Sequence, residues 1–158
     1  KESVEKASEA LKEAGAKRVM TLNVSGPFHS PMLTEAGEEL GKVLENVELG
    51  LRLRGIDEKE IGKRTLEVLE LLDLVEVRFA KVKNLSDLWK HRTALARAMI
   101  LEPDVILMDE PLRNVSPKFH HQLTQELVEL QERTGVTILY ATKNVEEMAL
   151  LGKRKVMV

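Results

Sequence analysis

Apolar and polar positions change period several times along the chain, and each change predicts an element. Over residues 2–14 (ESVEKASEALKEA) Val4, Ala7, Leu11 and Ala14 recur at three- and four-residue spacing, the stripe of an amphipathic helix, with Gly15 just beyond as a stop. Residues 18–24 (RVMTLNV) read as a short strand that Ser25-Gly26-Pro27 ends. Ser30 then precedes Pro31, pairing an N-cap oxygen with a residue whose missing N–H costs nothing at the first helical position. The pairing predicts a helix from about Pro31 to Leu44.

The middle of the chain reads as helical throughout. Asp57 is placed to cap a helix running to about Leu72, with Ile61, Leu66, Leu69 and Leu72 as its apolar stripe. A second helix begins near Ser86 and carries Leu88, Ala94, Leu95, Ala98 and Met99. Between residues 49 and 54, Leu49, Leu51 and Leu53 alternate with Gly50, Arg52 and Arg54, a pattern open to a short edge strand or an extended connector. From Pro103 the order becomes strand, helix, strand, helix, strand: 104–110 (DVILMDE), 117–134, 136–142 (VTILYAT), 145–151 and 153–158, with Gly135 and Gly152 at two helix ends. Near-continuous apolar strands separated by helices indicate a parallel sheet covered on both faces.

The 158 residues, 43% of them apolar, suffice for one sizeable core, so a single α/β domain over residues 1–158 is expected. Net charge is −2 and no basic stripe is interleaved with aromatics, which argues against a nucleic-acid partner. No apolar run reaches the roughly 18 residues of a membrane span, and the polar N-terminus lacks a signal-peptide core. A soluble, cytoplasmic-type protein is expected. With no cysteine, disulfides and thiolate metal ligands are absent.

Candidate chemistry is concentrated at the end of the 104–110 strand, where Asp109 and Glu110 place two adjacent carboxylates. Yet no G-x-x-x-x-G-K-[ST] phosphate loop occurs anywhere in the chain. From about Val43 onward, ENVELGLRLRGIDEKEIGKRTLEVLELLDLVEV, RTALARAMILEPDVILMDEPL and VTILYAT resemble the ATPase subunit of ABC transporters, from its helical subdomain to its last core strands. The resemblance implies a P-loop-NTPase-like, three-layer architecture with a mostly parallel four-stranded sheet in the order 104–110, 136–142, 18–24, 153–158. It also implies that Asp109 is the carboxylate near magnesium and that Glu110 polarises the attacking water. Other positions depart from that family's pattern. Its LSGGQ signature reads Leu85-Ser86-Asp87-Leu88-Trp89, Ser116 stands where an aspartate links subunits, and Lys143 replaces a histidine. Bulk and negative charge at Asp87 oppose a phosphate where glycine amides would receive it.

Residues 5–42, with EAGAKRVMTLNVSGPFHSPMLTEAGEEL, are similar to a segment of malonyl-CoA:acyl-carrier-protein transacylases. By that resemblance His29 would be the base that assists a serine, but the G-H-S-x-G elbow is absent, and a histidine without its nucleophile has nothing to activate. The loop of Ser25, Gly26, His29 and Ser30 offers backbone donors at a helix N-terminus, a weak anion site without a lysine. His120 and His121, adjacent on a helix, point about 100° apart and cannot chelate one ion as an i, i+4 pair does. His91 and Trp89 are expected to pack or snorkel, and Lys153-Arg154-Lys155 to form a solvated strand entry, a weak anion patch being the less common alternative.

These readings favour a non-catalytic α/β scaffold, designed or recombined from two families' segments, with no cofactor, Asp109, Glu110 and His29 being vestigial. One alternative is a degenerate ABC-type ATPase fragment with weak ATP and magnesium binding, Asp109 holding the metal. A weaker one is residual acyl-transfer or esterase activity through His29. No partner class is indicated, and the oligomeric state is open.

Overall fold

The computed structural model of the chain describes residues 2–15, 19–22 and 41–152. In chain order its elements are α1 (Glu2–Glu13), β1 (Val19–Leu22), α2 (Val43–Arg52), α3 (Glu58–Leu71), α4 (Asp87–Met99), β2 (Val105–Asp109), α5 (His120–Thr134), β3 (Thr137–Ala141) and α6 (Val145–Leu151). They belong to two compact units, residues 26–102 and residues 1–25 with 103–158.

The second of these units is built on a parallel sheet. β2 lies between β1 and β3, with Ile106 opposite Met20 on one side and Ile138 on the other. This corrects the expected order, which put 136–142 between 104–110 and 18–24. The reason lies in what each strand buries. Val105 through Met108 are all buried, as a central strand covered on both faces requires, whereas β3 alternates and leaves Leu139 at 42% exposure. The sheet has three strands among the described residues, and the predicted fourth, 153–158, lies outside them. α5 turns Leu123, Leu127 and Leu130 inward at helical spacing and ends on Gly135, whose φ of +70° is one that glycine adopts without strain.

The helical unit packs α2 against α3 and α4. Its Val43, Val47 and Leu51 are each at most 1% exposed. That four-residue period decides the 49–54 segment. The stretch is the end of a helix, neither a strand nor an extended connector, and Leu53, which the alternation placed beside Leu51, is 78% exposed. The buried Glu48 receives Arg52 Nη2 at 2.7 Å one turn on, a pairing only a helix allows. In α3 the Asp57 carboxylate accepts from the N–H groups of Lys59 and Glu60, as its position predicts. Ile61, Leu69 and Leu72 of the predicted stripe are buried, together with Thr65 and Val68, while Leu66 is 53% exposed. α4 starts after Ser86, which caps without a side-chain hydrogen bond. His91 is buried, and the Arg92 guanidinium lies 5.1 Å from the Trp89 ring centroid. The predicted helix from Pro31 to Leu44 falls outside the described residues up to position 40, and Val43 and Leu44 belong to α2.

Candidate functional site

The carboxylate pair arises where the apolar run of β2 meets a proline. Asp109 is the last residue of the strand in register, opposite Ala141, and the Glu110 N–H still donates to the Ala141 carbonyl at 2.8 Å. Pro111 disfavours the ordinary helical conformation in the residue before it, and the chain turns at Glu110 through a φ of +47°. A positive φ in a residue with a Cβ costs about 1–3 kcal/mol and marks a place where the surrounding structure dictates the backbone. Both carboxylate residues are half-buried. The C-terminal end of parallel strands is where open α/β sheets place ligands.

Lys143, in the loop after β3, brings its ammonium to 4.0 Å from a Glu110 carboxylate oxygen, with the lysine side chain 93% exposed. Beneath it lies a polar cluster that sequence spacing did not reveal. Glu147, 6% exposed, accepts at Oε2 from Tyr140 Oη (2.7 Å) and Thr142 Oγ1 (2.9 Å), and at Oε1 from Asn144 Nδ2 (3.1 Å). His120 Nε2 donates to the Val115 carbonyl at 3.0 Å, and Nδ1 lies 3.6 Å from Glu147 Oε1. Asn144 in turn caps α6 by accepting from the N–H groups of Glu146 and Glu147. The available sequence signal was an asparagine directly before the helical VEEMALL run.

Burial first, and the hydrogen bond to Glu147 second, lift the Tyr140 phenol far above its ordinary range. Because the folded-state value is the higher one, the stability this phenol contributes is complete below about pH 10 and is lost as pH rises past it. Above that pH, denaturant titrations should show wild-type stability falling more steeply than that of Tyr140→Phe, by a slope of about one proton.

The other predicted positions divide clearly. His29 and the anion loop of Ser25, Gly26 and Ser30 lie outside the described residues, as do Lys153, Arg154 and Lys155. His121 is exposed and His120 belongs to the Glu147 cluster. Asp87 and Trp89 of the altered signature occupy the first turn of α4. Ser116 precedes a single 3-10 turn at Pro117–Phe119. No group of three or more histidine, cysteine or acidic residues able to hold a metal occurs among the described residues. Asp109 and Glu110 would hold Mg2+ in one way, with one or two carboxylates sharing the ion with a ligand's phosphate oxygens. No helix among the described residues is long and apolar enough to cross a membrane.

The family model described as ABC transporter matches residues 8–113. The chain is 37% identical over 120 residues to the Fe(3+) ions import ATP-binding protein FbpC of Pasteurella multocida (strain Pm70), covering 72% of this chain and 34% of that protein. It is 40% identical over 112 residues to the trehalose/maltose import ATP-binding protein MalK of Thermococcus litoralis, covering 71% and 30%. The chain thus spans about a third of the length of these curated relatives. Among solved structures, cbiO1 from Clostridium perfringens, part of the ABC transporter complex cbiONQ, superposes with a TM-score of 0.69 at 24% identity, over 89% of this chain and 52% of that one, a likeness of fold. A dimeric bacterial ABC transporter cassette gives a TM-score of 0.55 at 31% identity, over 69% and 49%.

These matches correct the reading of the chain as a designed or recombined non-catalytic scaffold. The match to one family model spans residues 8–113, bounds that take in the segment assigned to a second family and the carboxylate pair. The transacylase-like reading of residues 5–42 finds no counterpart in these comparisons.

Proposed function

Because this chain belongs to the ABC transporter family, we propose that it is part of the ATP-binding subunit of an importer and that Asp109 and Glu110 face the magnesium and terminal phosphate of ATP. The observation that carries the reading is the placement of two carboxylates at the C-terminal end of the central parallel strand, the second at positive φ. Asp109 would hold the metal and Glu110 would orient a water. A bound Mg2+ would supply Lewis acidity at the phosphate oxygens. Lys143 adds a positive charge beside Glu110, which eases the approach of a polyanion to a pair that would otherwise repel it. The imported solute is not written in this segment, since the two relatives carry cargoes as unlike as Fe(3+) and trehalose or maltose.

Binding is expected to be weak. The sequence contains no G-x-x-x-x-G-K-[ST] loop, and Asp87 and Trp89 stand where the family's signature has small or neutral residues. Without glycine-built amide cradles, a Kd for Mg·ATP of about 0.1–1 mM is expected, or roughly 4–5.5 kcal/mol. Titration of the chain with Mg·ATP by isotope-edited NMR tests this. Saturable shifts at residues near Asp109, weakened about tenfold in Asp109→Ala, are the expected result. No saturation, or the same curve in Asp109→Ala, overturns the proposal.

A further inference from the structure

We propose that Glu147 is the positioning residue of the Asp109–Glu110 site, its one buried carboxylate fixing the loop that carries Lys143. The inference rests on the reading of that pair as nucleotide-facing. A carboxylate 6% exposed must be satisfied by donors, and those it has come from two places. Tyr140 belongs to β3, and Thr142 and Asn144 to the following loop.

The detail that exceeds ordinary helix capping is the treatment of residues 142–144. Asn144 alone would satisfy the first turn of α6. Here Thr142 Oγ1 both donates to Glu147 and accepts from the Asn144 N–H at 3.0 Å, so the residues on either side of Lys143 are tied to one carboxylate. The Lys143 side chain, 93% exposed, is left to reach Glu110 from a fixed backbone. An exposed lysine on a loose loop forfeits such a contact to its own conformational entropy, and anchoring the loop removes much of that loss.

A double-mutant cycle separates this from a merely structural role, because a residue that acts through Lys143 loses its effect when Lys143 is gone. Mg·ATP affinity is measured for the wild type, Lys143→Met, Glu147→Ala and the double variant, at a temperature where all are folded. Glu147→Ala should weaken binding about fivefold in the wild type and less than about twofold in the Lys143→Met background, the size of one exposed charge contact. Glu147→Gln carries the cycle if the alanine variant does not fold. Its amide oxygen still accepts from Tyr140 and Thr142, while its NH2 meets the Asn144 donor, so an effect of the same sign and smaller size is expected. Tyr140 is the only tyrosine, and its absorbance titration reads the cluster without nucleotide. In Glu147→Gln the phenol should ionise at lower pH than in the wild type. Equal effects of Glu147 replacement in both backgrounds, or an unchanged Tyr140 titration, overturn the inference while leaving the functional reading intact. A wild type that does not bind Mg·ATP at all overturns that reading and this inference with it.

Discussion

Ile106→Asp is expected to abolish the cooperative unfolding transition of the sheet-bearing unit. Ile106 is 0% exposed and lies in the strand that pairs on both sides, opposite Met20 and Ile138. Truncating such a side chain costs about 2–5 kcal/mol through lost burial and the cavity left behind. An aspartate adds the cost of a carboxyl group with no donor in an apolar layer, several kcal/mol more by transfer measurements. Against a total stability of about 5–15 kcal/mol, the sum leaves little or no folded population. Circular dichroism in a urea titration checks this, with Ile106→Val as the graded companion at about 1 kcal/mol. A full sigmoidal transition in Ile106→Asp would show that β2 is not the centre of the core.

What the sequence disclosed and what it hid follow from the range of the interactions involved. Contacts within a few residues are written in spacing. The Asp57 cap, the Gly135 stop, the apolar run of β2 and the carboxylates after it are of this kind, and each is where the pattern put it. The family resemblance likewise came from segments in order along the chain. Sheet order is different, because three apolar strands do not state which of them is the middle one. Their burial does, and it moved 105–109 to the centre. At 49–54 two periods competed over a stretch too short to decide, until Val43 and Val47 extended the helical one. The Glu147 cluster joins α5, β3 and α6 through polar side chains that no hydrophobic period records.

Backbone strain offers the sharpest separation of function from stability. Glu110→Gly is expected to stabilise the protein by roughly 1.5 kcal/mol, the relief of a positive φ less the added entropy of the unfolded glycine. For a chain of this length that raises Tm by about 3–6 °C. Asp73 and Glu102 provide internal controls, as acidic residues at φ of +53° and +50° just past the ends of α3 and α4. There the left-handed turn merely ends a helix, and each carboxylate has an arginine nearby, Arg92 at 3.7 Å and Arg64 at 3.5 Å. Glycine at 73 or 102 should also stabilise, by less because those pairs are lost, and should leave Mg·ATP affinity untouched. Glu110→Gly should likewise keep the complex, since Asp109 holds the metal in the proposed arrangement and removing a carboxylate lessens repulsion of phosphate. Any ATP turnover by the chain should disappear with it, while the glycine variants at 73 and 102 keep it. Thermal melts and phosphate-release assays on the three variants decide the matter. If Glu110→Gly melts below the wild type, the strained turn is a structural necessity, and its value as a pointer to the site is lost.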